Sequence, residues 1–152
     1  MAADEERRDR LVVRKVIPAP REEVFAPWID PESLRDWMCP GDMLTADAQI
    51  DARVGGAFRI VMKDATRAVH HTGEYLILEP PSKLVFTWIS SSTGNRPTLV
   101  TVELFEHGDA CEVVLTHDRF VDPGEVRRHT RGWGSILDKL ADRFARQGGT
   151  AR

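Results

Sequence analysis

Apolar and polar residues alternate with a period of two through most of the middle of this chain, and with a helical period near its end. Leu11 to Ile17 is a run of branched residues that predicts a first strand, stopped by Pro18 and Pro20. Pro20 then suits the start of a helix, with Glu22 and Glu23 near its positive end and Val24, Phe25 and Trp28 on one face. Asp30 is placed to cap a second short helix from Pro31, which carries Leu34, Trp37 and Met38. Cys39, Pro40 and Gly41 end that helix, and strand and turn signals fill the chain up to Phe120.

Within that stretch Phe58, Ile60 and Met62 share one side of a strand that follows Gly55 and Gly56. Counting outward from the Glu79-Pro80-Pro81-Ser82 turn pairs Ile77 with Leu84, Tyr75 with Phe86 and Gly73 with Trp88 on an aromatic face. The other face, with His70, Thr72, Glu74 and Thr87 among Leu76, Leu78, Val85 and Ile89, is mixed and is read as the outside. Gly73 is expected to let its strand bend while the Trp88 indole covers the gap. A second hairpin turning at His107, Gly108 and Asp109 sets Val100, Val102 and Leu104 beside Leu115, Val113 and Cys111, with Thr98 and His117 at its far end. After Asp122 and Pro123, Val126, Thr130, Trp133, Leu137, Leu140 and Phe144 mark one stripe of a long helix, and Gly148 and Gly149 are expected to release it.

These elements make an α+β domain: one strand, two short helices, about six antiparallel strands and a long helix, six to seven strands in all. Residues 1–10 are predicted as a disordered lead-in, 11–146 as a single domain and 147–152 as a disordered tail. The length of 152 residues fits one core. The two cysteines, Cys39 and Cys111, form no paired motif, so neither a disulfide framework nor a structural metal is expected, and a reducing, cytoplasmic setting is. No apolar run approaches the length of a membrane span, and the mixed charges of the first ten residues do not make a secretory signal. A net charge of -3 gives no footprint for nucleic acid or an anionic membrane.

Several pieces, in order from about Leu11 to Phe144, resemble a known family. They include Ala19-Pro20-Arg21-Glu22-Glu23-Val24-Phe25, Asp30-Pro31-Glu32 with Leu34 and Trp37, and Arg53-Val54-Gly55-Gly56. They continue with His71-Thr72-Gly73-Glu74-Tyr75, the run from Glu79 through Trp88, and Gly132-Trp133 with Leu137 and Leu140. The chain resembles the Activator of Hsp90 ATPase homologue 1-like proteins of the START-like, Bet v 1-like (SRPBCC) helix-grip superfamily. The resemblance implies a curved antiparallel sheet gripping a long C-terminal helix, with a pocket between them for a hydrophobic or amphipathic small molecule. It also implies two other roles: a polyketide cyclase-like or hydrolase-like enzyme using the same cavity, and a cofactor of an Hsp90-type chaperone.

A curved sheet of this size has more concave surface than one helix fills, which predicts an apolar pocket of about 300 to 1,000 Å³. Its floor and walls are expected to come from Phe58, Ile60, Met62, Tyr75, Phe86 and Trp88. Val100, Val102 and Val113 extend them, and Trp37, Met38 and Trp133 stand near the floor or mouth. Each is also an ordinary core residue, since aromatic stripes on inner faces fill space first. His71 and His117 are the polar residues expected to aim inward, where they would orient a ligand. With Tyr75 they are the acid–base candidates if the protein is an enzyme.

No metal site follows from the histidines, because His70 and His71 alternate, His107 is in a turn and His129 is helical. No GxSxG elbow is present. Arg127, Arg128, His129 and Arg131 form a basic cluster that reads first as a solvated helix face and second as an anion or partner site. The reading that follows is a binder of a hydrophobic small molecule without a cofactor, favoured over an enzyme. A homodimer is compatible with the sequence.

Overall fold

The computed structural model describes residues 9–41, 43 and 45–150. The predicted lead-in falls almost wholly outside them, as do Ala151 and Arg152 of the predicted tail. Strand β1 (Leu11–Ile17) is followed by helix α1 (Arg21–Phe25), a 3-10 turn (Ala26–Ile29) and helix α2 (Pro31–Trp37). Strands β2 (Thr45–Ile50), β3 (Ala57–Lys63), β4 (Ala68–Glu79) and β5 (Lys83–Trp88) come next. A second 3-10 turn (Ser91–Thr93) leads to β6 (Thr98–His107) and β7 (Ala110–Asp118), and helix α3 (Pro123–Thr150) closes the described chain. The α+β element order expected from the pattern, and the helix grip that the resemblance implies, are therefore both observed.

All seven strands pair antiparallel in the order β1-β7-β6-β5-β4-β3-β2, so the first strand lies at one edge and the second at the other. The short helices make that crossing. Pro20 is the residue preceding α1, and the Asp30 side chain accepts the Glu32 N–H at 3.1 Å, as its position before a proline-led helix predicts. The core lies between the concave face of the sheet and α3, whose Trp133, Ile136, Leu137, Leu140 and Phe144 are buried. Thr130 departs from the predicted stripe: it is exposed, with its hydroxyl bonded back to Val126 O at 2.6 Å, while His129 turns inward onto Phe120. In this turn of the helix residue 129 rather than 130 lies toward the sheet.

The helix also continues to Thr150, past the glycines expected to end it. Glycine inside a helix costs about 1 kcal/mol against alanine but does not forbid it. At the other end Asp122 caps the helix, its Oδ1 accepting from Glu125 N at 2.8 Å, while Glu125 Oε1 reaches past the cap to accept from Val121 N at 3.2 Å. The remaining Glu125 oxygen meets Arg96 at 2.7 Å, which ties the start of α3 to the loop before β6.

Both hairpins are shifted from the predicted register. Tyr75 faces Phe86 as expected, but a bulge after Tyr75 places Leu78, not Ile77, opposite Leu84. The extra residue flips the alternation, so Leu78 packs against the core. In the β6–β7 hairpin the turn holds only Gly108 and Asp109, with Gly108 at φ 63°, and this sets Val100 opposite His117 and Val102 opposite Leu115. The slip is even, so the inward set is the predicted one.

Gly73 is where the sheet folds over. A Cβ there would stand 2.0 Å from Thr87 O and 2.4 Å from the Phe58 ring, so β3, β4 and β5 approach one another only because the side chain is missing. Phe58, and not Trp88 as the pairing suggested, covers the gap, since it lies opposite Gly73 in the β3–β4 register. Gly73→Ala is therefore expected to cost at least about 2 kcal/mol, through backbone displacement rather than lost burial. A denaturant midpoint equal to wild type would show that the strands do not pass this closely.

Candidate functional site

The interior of the grip is mostly filled. Phe58, Tyr75, Phe86 and Trp88 pack on one another with ring centroids 5.3 to 6.3 Å apart. The void they line with Trp28, Leu34, Met38 and Ile60 is about 10 Å³, room for at most one water. Predicted lining residues Phe58, Ile60, Tyr75, Phe86 and Met38 are thus packed together rather than arranged around open space. Trp37 is buried edge-on to Trp28 at 4.7 Å, its indole N–H donated to Ser33 Oγ at 3.2 Å. Val100, Val102 and Val113 lie fully buried beneath α3 and do not line the pocket. The physical reason is common to all: large aromatic side chains on a bent sheet meet across the bend and consume the volume the bend creates.

Open space remains to one side, between α3, the β3–β4 hairpin and the loop after α2. This pocket measures about 160 Å³, below the range expected from the sequence. Its apolar wall is made by Met62, Trp88, Trp133 and Ile136, with Pro40 and Met43 from the loop. His71, Ser92, Arg67, Arg128 and His129 supply its polar groups, and Gly132 leaves room on the helix side. Of the predicted residues, Met62, His71, Trp88 and Trp133 come together here. The loop residues were not found from the sequence, because Cys39-Pro40-Gly41 carries only a helix-stop signal.

The loop is held by the helix. Ser135 Oγ accepts the Gly41 N–H at 2.6 Å, and the Lys139 ammonium donates to Cys39 O at 2.6 Å and Met43 O at 3.4 Å. Ser135 and Lys139 are four residues apart and so lie on one face of α3.

His117 does not reach this pocket. It is fully buried, and its hydrogen bonds define one neutral tautomer. The Trp133 indole N–H donates to His117 Nδ1 at 2.9 Å. His117 Nε2–H then donates to Thr98 Oγ1 at 2.7 Å, and the Thr98 hydroxyl donates to Trp88 O at 2.6 Å. A proton added to Nδ1 would leave Trp133 without an acceptor. Burial, with the charge of His129 nearby, holds the His117 pKa well below the usual histidine value.

His71 stacks on Trp88 with centroids 4.6 Å apart and places Nδ1 3.3 Å from Ile60 O, so Nδ1 carries the proton and Nε2 is the accepting nitrogen. Burial pushes its pKa down to about 4, against the smaller opposing pull of the Ile60 carbonyl. Burial likewise lowers His129, whose Nδ1–H bonds Glu125 O at 2.8 Å, and pushes Tyr75 up to about 12. Only His71 of the three acid–base candidates lines the pocket. Among the described residues no group of three or more His, Cys, Asp or Glu is placed to hold a metal ion, and no helix is long and apolar enough to cross a membrane.

Residues 18–145 match the family described as Activator of Hsp90 ATPase homolog 1-like protein. Solved structures with the same fold include protein CV1439 from Chromobacterium violaceum, 22% identical, with a TM-score of 0.75 over 90% of this chain and 96% of that one. CalU16 from Micromonospora echinospora is 23% identical, with a TM-score of 0.66 over 87% of this chain and 71% of its own. DynU16, from the dynemicin biosynthetic locus, is 23% identical, with a TM-score of 0.74 over 92% of this chain and 48% of its own. No curated protein matches the chain.

The buried imidazoles fix a pH dependence. An unfolded chain takes up protons on histidine as pH falls through about 6.5, whereas His71 resists until about 4. Between those values the unfolded state binds more protons, so stability falls as pH falls, by up to about 3 kcal/mol from His71 alone. His117 and His129 add with the same sign. Urea midpoints should drop steadily from pH 7 to pH 4.5; a flat profile would mean that these rings are not buried neutral.

Proposed function

We propose that this chain, which belongs to the Activator of Hsp90 ATPase homolog 1-like family, binds a small amphipathic molecule in the pocket beneath α3. The observation that carries this reading is the pocket's mixed lining: Met62, Trp88, Trp133 and Ile136 supply apolar surface, and His71, Ser92, Arg67 and Arg128 supply polar groups. Ligand sites combine an apolar lining with a few convergent polar groups, and this pocket has that composition at small scale. A cavity of about 150 Å³ lined by apolar side chains is large enough for benzene, so about 160 Å³ accepts the apolar end of a small molecule. That one relative of the same fold comes from a biosynthetic locus supports a small-molecule guest. A cytoplasmic location goes with this reading.

His71 favours a second reading, that of an enzyme. Its Nε2 is the accepting nitrogen of a neutral imidazole at neutral pH, which lets it take a proton from a bound substrate. If a substrate is found, His71→Phe should lower turnover by about 10² to 10⁴ while an unreactive analogue still binds. Turnover unaffected by the change would leave His71 as a packing residue and remove the enzyme reading.

Gly132 offers the direct test of binding. It lines the pocket on an interior turn of α3, and a Cβ there would meet only Pro40 Cβ, at 3.8 Å. Gly132→Leu should fill the pocket while raising helix propensity by roughly 0.7 kcal/mol. Native mass spectrometry of freshly purified protein, followed by denaturing extraction, is expected to find a bound small molecule in wild type and none in the variant. The same guest in both would place binding elsewhere.

A further inference from the structure

The basic cluster on α3 adds something the pocket's volume does not. Arg127, Arg128 and Arg131 follow one another within a turn and a half, and none makes an ion pair with a described residue. The acidic residue on this part of the helix, Glu125, is buried and already engaged with Arg96 and the Val121 N–H. Asp122 stands close by, its Oδ1 and Arg128 Nη1 lying 3.0 and 3.2 Å from where a Gly124 Cβ would be, but it makes no ion pair with the three arginines, so positive charge is in excess here. Arg128 is the member of the cluster that lines the pocket, and Ser92, which also lines it, offers a hydroxyl. Arg67 stands on the wall as well, with its Nε shared with Asp64 at 3.3 Å.

The deeper walls are flat rings. Trp88 lies 5.1 Å from Trp133 and 4.6 Å from His71, and all three line the pocket, so aromatic surface meets whatever fills it. From this arrangement, and resting on the small-molecule reading above, we propose that the guest is a small aryl carboxylate. Its ring lies against Trp88 and Trp133, and its carboxylate meets the Arg128 guanidinium at the mouth. Arg matches a carboxylate because its planar fork donates two parallel N–H bonds. The pocket's size limits the apolar part to about one ring.

The test compares phenylacetate with phenylacetamide, which has the same shape and no charge, by titration calorimetry and tryptophan fluorescence at neutral pH. The acid should bind about tenfold or more tightly than the amide, and the advantage should shrink as salt is raised. Arg128→Gln should remove the acid's advantage, and Arg131→Gln, outside the pocket wall, should keep most of it. Equal binding of acid and amide to wild type would overturn the carboxylate proposal and leave the pocket reading standing. An equal loss in both Arg variants would overturn the direct contact with Arg128. If neither probe binds wild type, or both bind Gly132→Leu as well, the proposal and the pocket reading fall together.

Discussion

A single neutral imidazole joins the long helix to the middle of the sheet. His117 receives a hydrogen bond from Trp133 on α3 and passes one to Thr98 on β6, which passes one to the backbone of β5 at Trp88. Every member is buried, so each donor and acceptor depends on its neighbour; removing one would strand the next at a cost of about 1–3 kcal/mol. Direction matters as much as distance. Trp133 can only donate, which obliges Nδ1 of His117 to accept and Nε2 to carry the hydrogen. The indole of Trp133 is thereby fixed in azimuth, and because the same ring forms a wall of the pocket, the shape of the pocket is set by a bond made outside it.

The position of the pocket follows from how the sheet bends. Gly73 allows β3, β4 and β5 to close on one another, and the aromatic rings of that corner fill the angle. Space survives beside Gly132 of the helix and the loop residues Pro40 and Met43. His71, Ser92, Arg67, Arg128 and His129 supply polar groups at the same place. His71 and His117 are buried in the sheet and His129 is half-buried on α3, and loss of water lowers the pKa of all three.

Much of this was legible in the sequence, for definite reasons. A period of two marks the inward residues of β3, β6 and β7 whatever the exact pairing, since an even slip leaves every face unchanged. Asp30 before Pro31 announces a helix by local chemistry alone. What escaped depends on one extra residue or on a distant partner. The bulge after Tyr75 carries no mark of its own and reverses the roles of Ile77 and Leu78. His117 looked like a ligand residue because an inward histidine next to apolar neighbours is ambiguous until its partners are known, and they lie on β6 and α3. The solid interior was hidden for a similar reason: alternation tells which side chains point inward but not whether they meet.

The strap over the pocket belongs to a different level of organisation. Cys39, Pro40, Gly41 and Met43 lie outside every strand and helix, and the backbone of Cys39, Gly41 and Met43 is secured by side chains 94 to 100 residues further along the chain. Two side chains on one helix face can let go together while the sheet ladder stays intact. Its amides therefore belong to a small opening unit whose protection against solvent exchange is set by Ser135 and Lys139, separately from the cooperative unfolding of the grip.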